Sequence, residues 1–184
     1  TTRSYNTLNI PDNKGKIAIG FLAHQHPSKG TKESLDALLA LKNKYKDQIA
    51  VVAIGEWPEF QTIKPNWIQY AYNLNRKALA HCFGQLDIFI SSSYTEGLGR
   101  LSLEAMSAGV AVIMSDTNAE FAKNEHNCLI VPVKDSQALA NAVDKFIVDD
   151  KLRIQISING YKTACEYANS KVYSQALLEA IENL

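Results

Sequence analysis

The chain has 184 residues, 46% hydrophobic and 21% charged, with 19 Lys and Arg against 19 Asp and Glu. That suits one globular domain, and the balanced charge argues against nucleic acid or an acidic surface as the main partner. Cys82, Cys128 and Cys165 are scattered and odd in number, which fits a reducing, cytoplasmic setting rather than a disulfide framework or metal cluster, and no apolar run approaches the roughly 20 residues that span a bilayer.

Residues 1–16 are polar, with the turn-like PDNKG, and read as a linker following something else. Ile17 to Ala23 is a first strand and Gln25 to Gly30 a loop. Thr31 to Lys46 is an amphipathic helix with Leu35, Leu38, Leu39, Leu41 and Tyr45 inward. A second strand, Ile49 to Ile54, is closed by Gly55, and Glu56 to Pro65 is an irregular connection. Trp67 to Tyr72 is a third strand, Asn75 to Phe83 a short helix and Asp87 to Ser91 a fourth strand. Leu98 to Ala108 has helical composition with Gly109 as its stop, and Val110 to Met114 is a fifth strand. A helical turn at Asn118 to Lys123 and a sixth strand, Cys128 to Val133, follow. Asp135 to Val148 is a helix capped by Asp135 or Ser136. Leu152 to Ala168 is another, and Ser170 to Asn183 a last one.

Strands alternate with helices, and most strands are unbroken apolar runs. That pattern belongs to an α/β, doubly wound, Rossmann-like parallel sheet covered on both faces. It divides the chain into a linker (1–16), a Rossmann-like body (17–169) and a C-terminal helix (170–184). Ligands of such sheets lie at the carboxyl ends of the strands. The loops holding Lys29, Tyr72 with Asn73, and Glu96 to Gly99 are therefore expected to converge.

The stretch SSSYTEGLGRLSLEAMSAGVAVIMS carries the chemistry. Gly97 and Gly99 flank Leu98 in a turn at a helix start, where unpaired N–H groups and the helix dipole make an anion site. The following helix is apolar nearly all round and is expected to be buried. Glu104 sits in its middle. Two settings suit it: a buried carboxylate that needs donors such as ribose hydroxyls, or a narrow exposed face shared with Arg100 four residues earlier. Glu96, just before the turn, is well placed for the helix dipole. Lys29 alone is an ordinary loop lysine, since Lys29-Gly30-Thr31 has the wrong order for a P-loop. His24 and His26 have the look of a metal pair, but no third ligand has suitable spacing. No metal is expected, and two histidines near a phosphate is the preferred reading. Trp57, Trp67, Tyr70 and Tyr72 could stack on a ligand, although those in the predicted third strand read as core.

The run EGLGRLSLEAMSAGVAVIMSD resembles the signature of retaining glycosyltransferases of family 4, group 1, which have the GT-B fold. Glu96 and Glu104 keep that family's seven-residue interval, and Ala105, Met106, Gly109 and Val112 fall in place; Ala111 stands where proline is usual. The resemblance covers Ile17 onward and implies the second, donor-binding half of a two-domain enzyme whose acceptor-binding first half is not in this chain. It implies transfer of a sugar from a nucleotide diphosphate sugar, of UDP or GDP type, to a sugar, lipid-linked or other glycan acceptor. No cofactor is implied. Peripheral membrane contact would come through the missing half.

By the same resemblance, Lys29 contacts the donor diphosphate and Glu96 binds sugar hydroxyls or steadies oxocarbenium-like charge. The N–H groups of Leu98, Gly99 and Gly97 bind phosphate, Glu104 holds the ribose, and Tyr72 and Asn73 meet the base. The family's second cation, usually an arginine, is replaced around Phe21, with His24, His26 or Arg100 as substitutes. Asp116 to Asn118 and the NEHN turn (Asn124 to Asn127) depart from the family pattern, and Asn is expected to supply positive φ in that turn. The alternatives are a donor-binding module inactive by itself and another GT-B enzyme, such as a sugar-nucleotide epimerase or a phosphorylase.

Overall fold

The computed structural model describes residues 15–117 and 119–168. Most of the expected linker and the whole of the expected last helix, Ser170 to Asn183, lie outside them.

The described residues form one parallel sheet of six strands in the order β3-β2-β1-β4-β5-β6. The strands are β1 (Ile17–Ala23), β2 (Ile49–Gly55), β3 (Ile68–Tyr72), β4 (Ile88–Ser91), β5 (Ala111–Ser115) and β6 (Leu129–Val131). The helices are α1 (Thr31–Tyr45), α2 (Phe60–Ile63), α3 (Arg76–Phe83), α4 (Arg100–Ser107), α5 (Ser136–Val148) and α6 (Asp150–Ala168). The apolar strands bury both faces, as period-two side chains must when helices cover each side. Ile19, Phe21, Val51, Ala53, Ile88, Ile90 and Ile113 pack with Leu38 and Leu41 of α1 and Val143 and Phe146 of α5. Ala18, Val52, Ile54, Phe89, Val112 and Met114 pack with Phe83 of α3, Ala105 and Met106 of α4 and Ala164 of α6.

Most boundaries agree with the sequence reading to within two residues. Asn75 caps α3 by accepting from the Ala78 N–H at 2.9 Å, and Asp135 caps α5 by accepting from the Ala138 N–H at 2.8 Å. Four expectations are corrected. Leu39 is 50% exposed, because it projects off the stripe that Leu38 and Leu41 bury. The connection after β2 contains α2, whose Phe60 is buried against Trp57 and Tyr70. In the expected helical turn at Asn118 to Lys123, the described residues 119–123 hold a turn at Glu120 and Phe121 rather than a helix. The left-handed residue of the NEHN turn is Glu125 (φ 57), not an asparagine. The asparagines brace that turn instead. Asn124 Oδ1 accepts from the Ile130 N–H at 2.8 Å, and buried Asn127 bonds Lys123, Phe121 and Thr163.

Candidate active site

The strand order reverses between β1 and β4, which run side by side although β2 and β3 separate them in sequence. A crevice opens at the carboxyl ends of strands at such a switch point. Two loops meet there: 24–30, between β1 and α1, and 92–99, between β4 and α4.

The loops are tied by hydrogen bonds. The Tyr94 N–H donates to Ser28 O at 2.7 Å, and Ser92 Oγ donates to Gly30 O at 2.7 Å. Ser92 Oγ also lies 2.8 Å from Ser34 Oγ of α1. Gly30 has φ 67, and a Cβ there would sit 2.0 Å from Ser92 O. Only glycine allows the two backbones to come this close.

Across this seam Lys29 Nζ donates to Glu96 Oε1 at 2.8 Å, and Ser93 Oγ donates to the same oxygen at 2.8 Å. Both partners are partly buried, with side-chain exposures of 30% and 21%. Lys29 ends a single 3-10 turn, Pro27–Lys29, whose cap is His26. The bonds from Lys29 and Ser93 both fall on Glu96 Oε1 rather than Oε2, and an ammonium has three donors. Both groups therefore keep bonding capacity for a ligand.

Beside the pair, α4 starts with no side-chain cap; its N-cap is Gly99 (φ 66). A Cβ at Gly99 would lie 3.2 Å from Phe121 Cε1, whereas one at Gly97 would meet nothing within 4 Å. The turn thus leaves open space at Gly97, just before the uncapped start of the helix, an arrangement suited to an anion.

The helix itself corrects the sequence reading. It is amphipathic, burying Ser102, Ala105 and Met106. Leu98, in the preceding turn, is 50% exposed. Glu104 occupies the exposed setting: its side chain is 38% exposed and its Oε1 lies 3.9 Å from the Arg100 guanidinium. Such a pair contributes about 0.3–0.5 kcal/mol. Glu104 also lines a groove of about 550 Å³ between α3 and α4, with Arg76, Leu79, Ala80 and Phe83. Neither Lys29 nor Glu96 lines it.

Tyr72 ends β3 at the sheet edge and Asn73 follows it, two strand spacings, or about 10 Å, from β1. The Asn73 N–H donates to Gly55 O at 2.9 Å, and Tyr72 is 39% exposed. The loops after β1 and β4 converge; the loop after β3 joins the end of β2 instead. Tyr70 is structural. Its hydroxyl accepts from the Trp57 N–H at 2.8 Å and donates to Trp57 O at 2.9 Å, and burial pushes its pKa up to about 12. His24 Nδ1 accepts from the His26 N–H at 2.9 Å, and His26 Nδ1 lies 2.7 Å from Ser28 Oγ. These bonds shape the turn, and among the described residues no third ligand joins the two rings.

Ser92, Ser93, Tyr94 and Ser34 were not singled out from the sequence. The available signal was three consecutive serines after a buried strand, all three of them buried.

Among the described residues no helix is long and apolar enough to cross a membrane. The family model for glycosyl transferases group 1 matches residues 8–163. The C-terminal domain of a glycosyl transferase group 1 family protein (LpcC) from Francisella tularensis is similar at 31% identity, covering 83% of this chain and 86% of that one, with a TM-score of 0.73. Anabaena Alr3699/HepE, solved with UDP-glucose, shares the fold at 20% identity and a TM-score of 0.80, over 94% of this chain and 50% of that one. The capsular polysaccharide biosynthesis glycosyltransferase CapM of Staphylococcus aureus is 25% identical over 91% of this chain and 45% of its own length. The chain thus spans under half the length of that curated relative. The match across most of its length, with the six-stranded parallel sheet, shows that the chain belongs to the glycosyl transferases group 1 family and has the fold of the C-terminal domain of a GT-B glycosyltransferase.

Proposed function

We propose that the chain is the donor-binding half of a retaining glycosyltransferase, taking a sugar from a nucleotide diphosphate sugar of UDP or GDP type. One observation carries the reading: Lys29 and Glu96 come from separate loops and pair at 2.8 Å at the strand-order switch, beside the uncapped start of α4.

The chemistry follows from where charge develops. As the sugar leaves, negative charge grows on the diphosphate, and fixed donors aimed there lower the barrier most. Lys29 and the N–H groups of Gly97, Leu98 and Gly99 are those donors, with Arg100 alongside. The second oxygen of Glu96 faces the sugar, where it binds hydroxyls or steadies positive charge at the anomeric carbon. Lys29 bridges the two roles and offsets Glu96 against the anionic diphosphate. The departing phosphate oxygen takes the acceptor's proton. Glu104 holds the ribose hydroxyls, and the backbone at Tyr72 and Asn73 meets the base. No cofactor or metal enters this scheme.

The likeness to HepE, solved with UDP-glucose, supports a nucleotide-sugar donor. Relatives named for lipopolysaccharide core, for capsular polysaccharide and for a diphospho-undecaprenol substrate support a glycan or lipid-linked acceptor; on this reading a separate N-terminal half binds it at a cytoplasmic membrane face. Because the chain spans 45% of CapM, we expect binding without turnover from the chain alone. Calorimetric titration with UDP, GDP and ADP, and with their sugars, tests this. Binding of one nucleotide family supports the reading. No binding of any would refute it, and conversion of donor without acceptor would favour an epimerase.

A further inference from the structure

Glu96 lies in segment 92–99, which has no regular secondary structure. A group that meets a reacting sugar needs placement within about 0.5 Å, and a 1 Å error can cost about 10²-fold. Beyond Tyr94 the segment is thinly held: Thr95, Gly97 and Leu98 are exposed. Tyr94 is the last residue before Glu96 whose main chain is bonded to the neighbouring loop, through Ser28 O. Its hydroxyl donates to Glu33 Oε1 in the first turn of α1 at 2.8 Å. Lys134 Nζ, from the loop after β6, lies 5.0 Å from its ring centroid.

Two features separate this cluster from ordinary packing. Glu33 Oε2 is buried without a partner, so the carboxylate's hydrogen bond within the described residues is the one from Tyr94. Lys134 has φ 61, a left-handed conformation that strains a residue with a side chain. Burial, and then the bond and charge of Glu33, raise the Tyr94 pKa, so the phenol keeps its proton and donates.

We propose that Tyr94 is a positioning residue for sugar transfer, held by Glu33 and Ser28 so that Glu96 meets the donor sugar in one fixed direction. The proposal rests on the donor-site reading above. It separates the two halves of the donor, because the Tyr94 hydroxyl bonds Glu33 of α1 and not the loop that carries Lys29, and Gly99 is set against Phe121. Loosening Tyr94 therefore affects the sugar and spares the nucleotide.

The test compares Kd for UDP, GDP and ADP with Kd for UDP-glucose, GDP-mannose and ADP-glucose, using the full 184-residue chain. Tyr94→Phe keeps the ring and removes the bond to Glu33. The affinity gained from the sugar should fall at least about fivefold, or about 1 kcal/mol, while the nucleoside diphosphate alone is unaffected. Glu33→Ala should copy the effect, and Glu33→Gln, which retains an acceptor, should restore it. Equal loss for nucleotide and sugar nucleotide would mark a general loosening and overturn the proposal. So would an unchanged sugar increment, or a parent chain that binds a diphosphate and gains nothing from any sugar. A parent chain that binds no nucleotide overturns the donor-site reading itself, and this proposal with it.

Discussion

The two ends of the proposed donor site are built differently. At the switch point Lys29, Glu96, Ser93, Ser92, Ser34 and Gly30 are already bonded to one another. At the other end, Glu104 lines the groove between α3 and α4 and forms a loose pair with exposed Arg100 at 3.9 Å. Donors fixed in advance contribute most where charge develops during reaction, because no reorganisation is then required. Hydroxyls that do not react need only be held, and a half-exposed carboxylate is adequate for that. The proposed diphosphate and sugar end is tied by hydrogen bonds between two loops; the proposed ribose end has one long ion pair.

The contrast can be broken most forcefully at Gly30. Gly30→Ala places a Cβ against the Ser92 carbonyl in a left-handed backbone, and stability should fall by about 2–4 kcal/mol in urea unfolding. A loss below about 0.5 kcal/mol would mean that the two loops are not held as described. Lys29→Ala should weaken nucleoside diphosphate binding roughly 10- to 100-fold, the scale of a charge-assisted bond of about 1.5–3 kcal/mol. Glu104→Ala should weaken the same binding by at least about 1 kcal/mol. Unchanged affinity would remove Glu104 from the ribose. Arg100→Ala is expected to shift stability by less than about 0.5 kcal/mol, since its ion pair is exposed. A larger shift, read by thermal melting, would show that the groove end is as firmly built as the switch point.

Much of this was legible in the chain because each level agreed with the next. Unbroken runs such as IAIGFLA and IAVVAIG can be buried on both faces only in a parallel sheet, and Asn75 and Asp135 announce their helices by their side chains. Lys29 and Glu96 were both chosen as site residues, yet their direct pairing was not foreseen, since nothing in local spacing relates positions 67 apart. Ser92, Ser34 and Tyr94 were missed for the same reason: Ser92 pairs with Gly30 and Ser34, and Tyr94 with Ser28 and Glu33, across distant parts of the chain. Helix α4 was misread from composition. Leu98 precedes the helix, and Leu101 and Leu103 are only half-buried, so a leucine-rich string gave the impression of an apolar surface all round. Glu104 accordingly faces solvent, in the second of the two settings open to it.

The most direct measurement is a crystal structure of the chain with the nucleoside diphosphate that binds it best. The account predicts the terminal phosphate in contact with Lys29 Nζ and the N–H groups of Leu98 and Gly99, with the ribose at Glu104. A diphosphate bound elsewhere, with the Lys29–Glu96 pair untouched and the start of α4 facing only water, would contradict it.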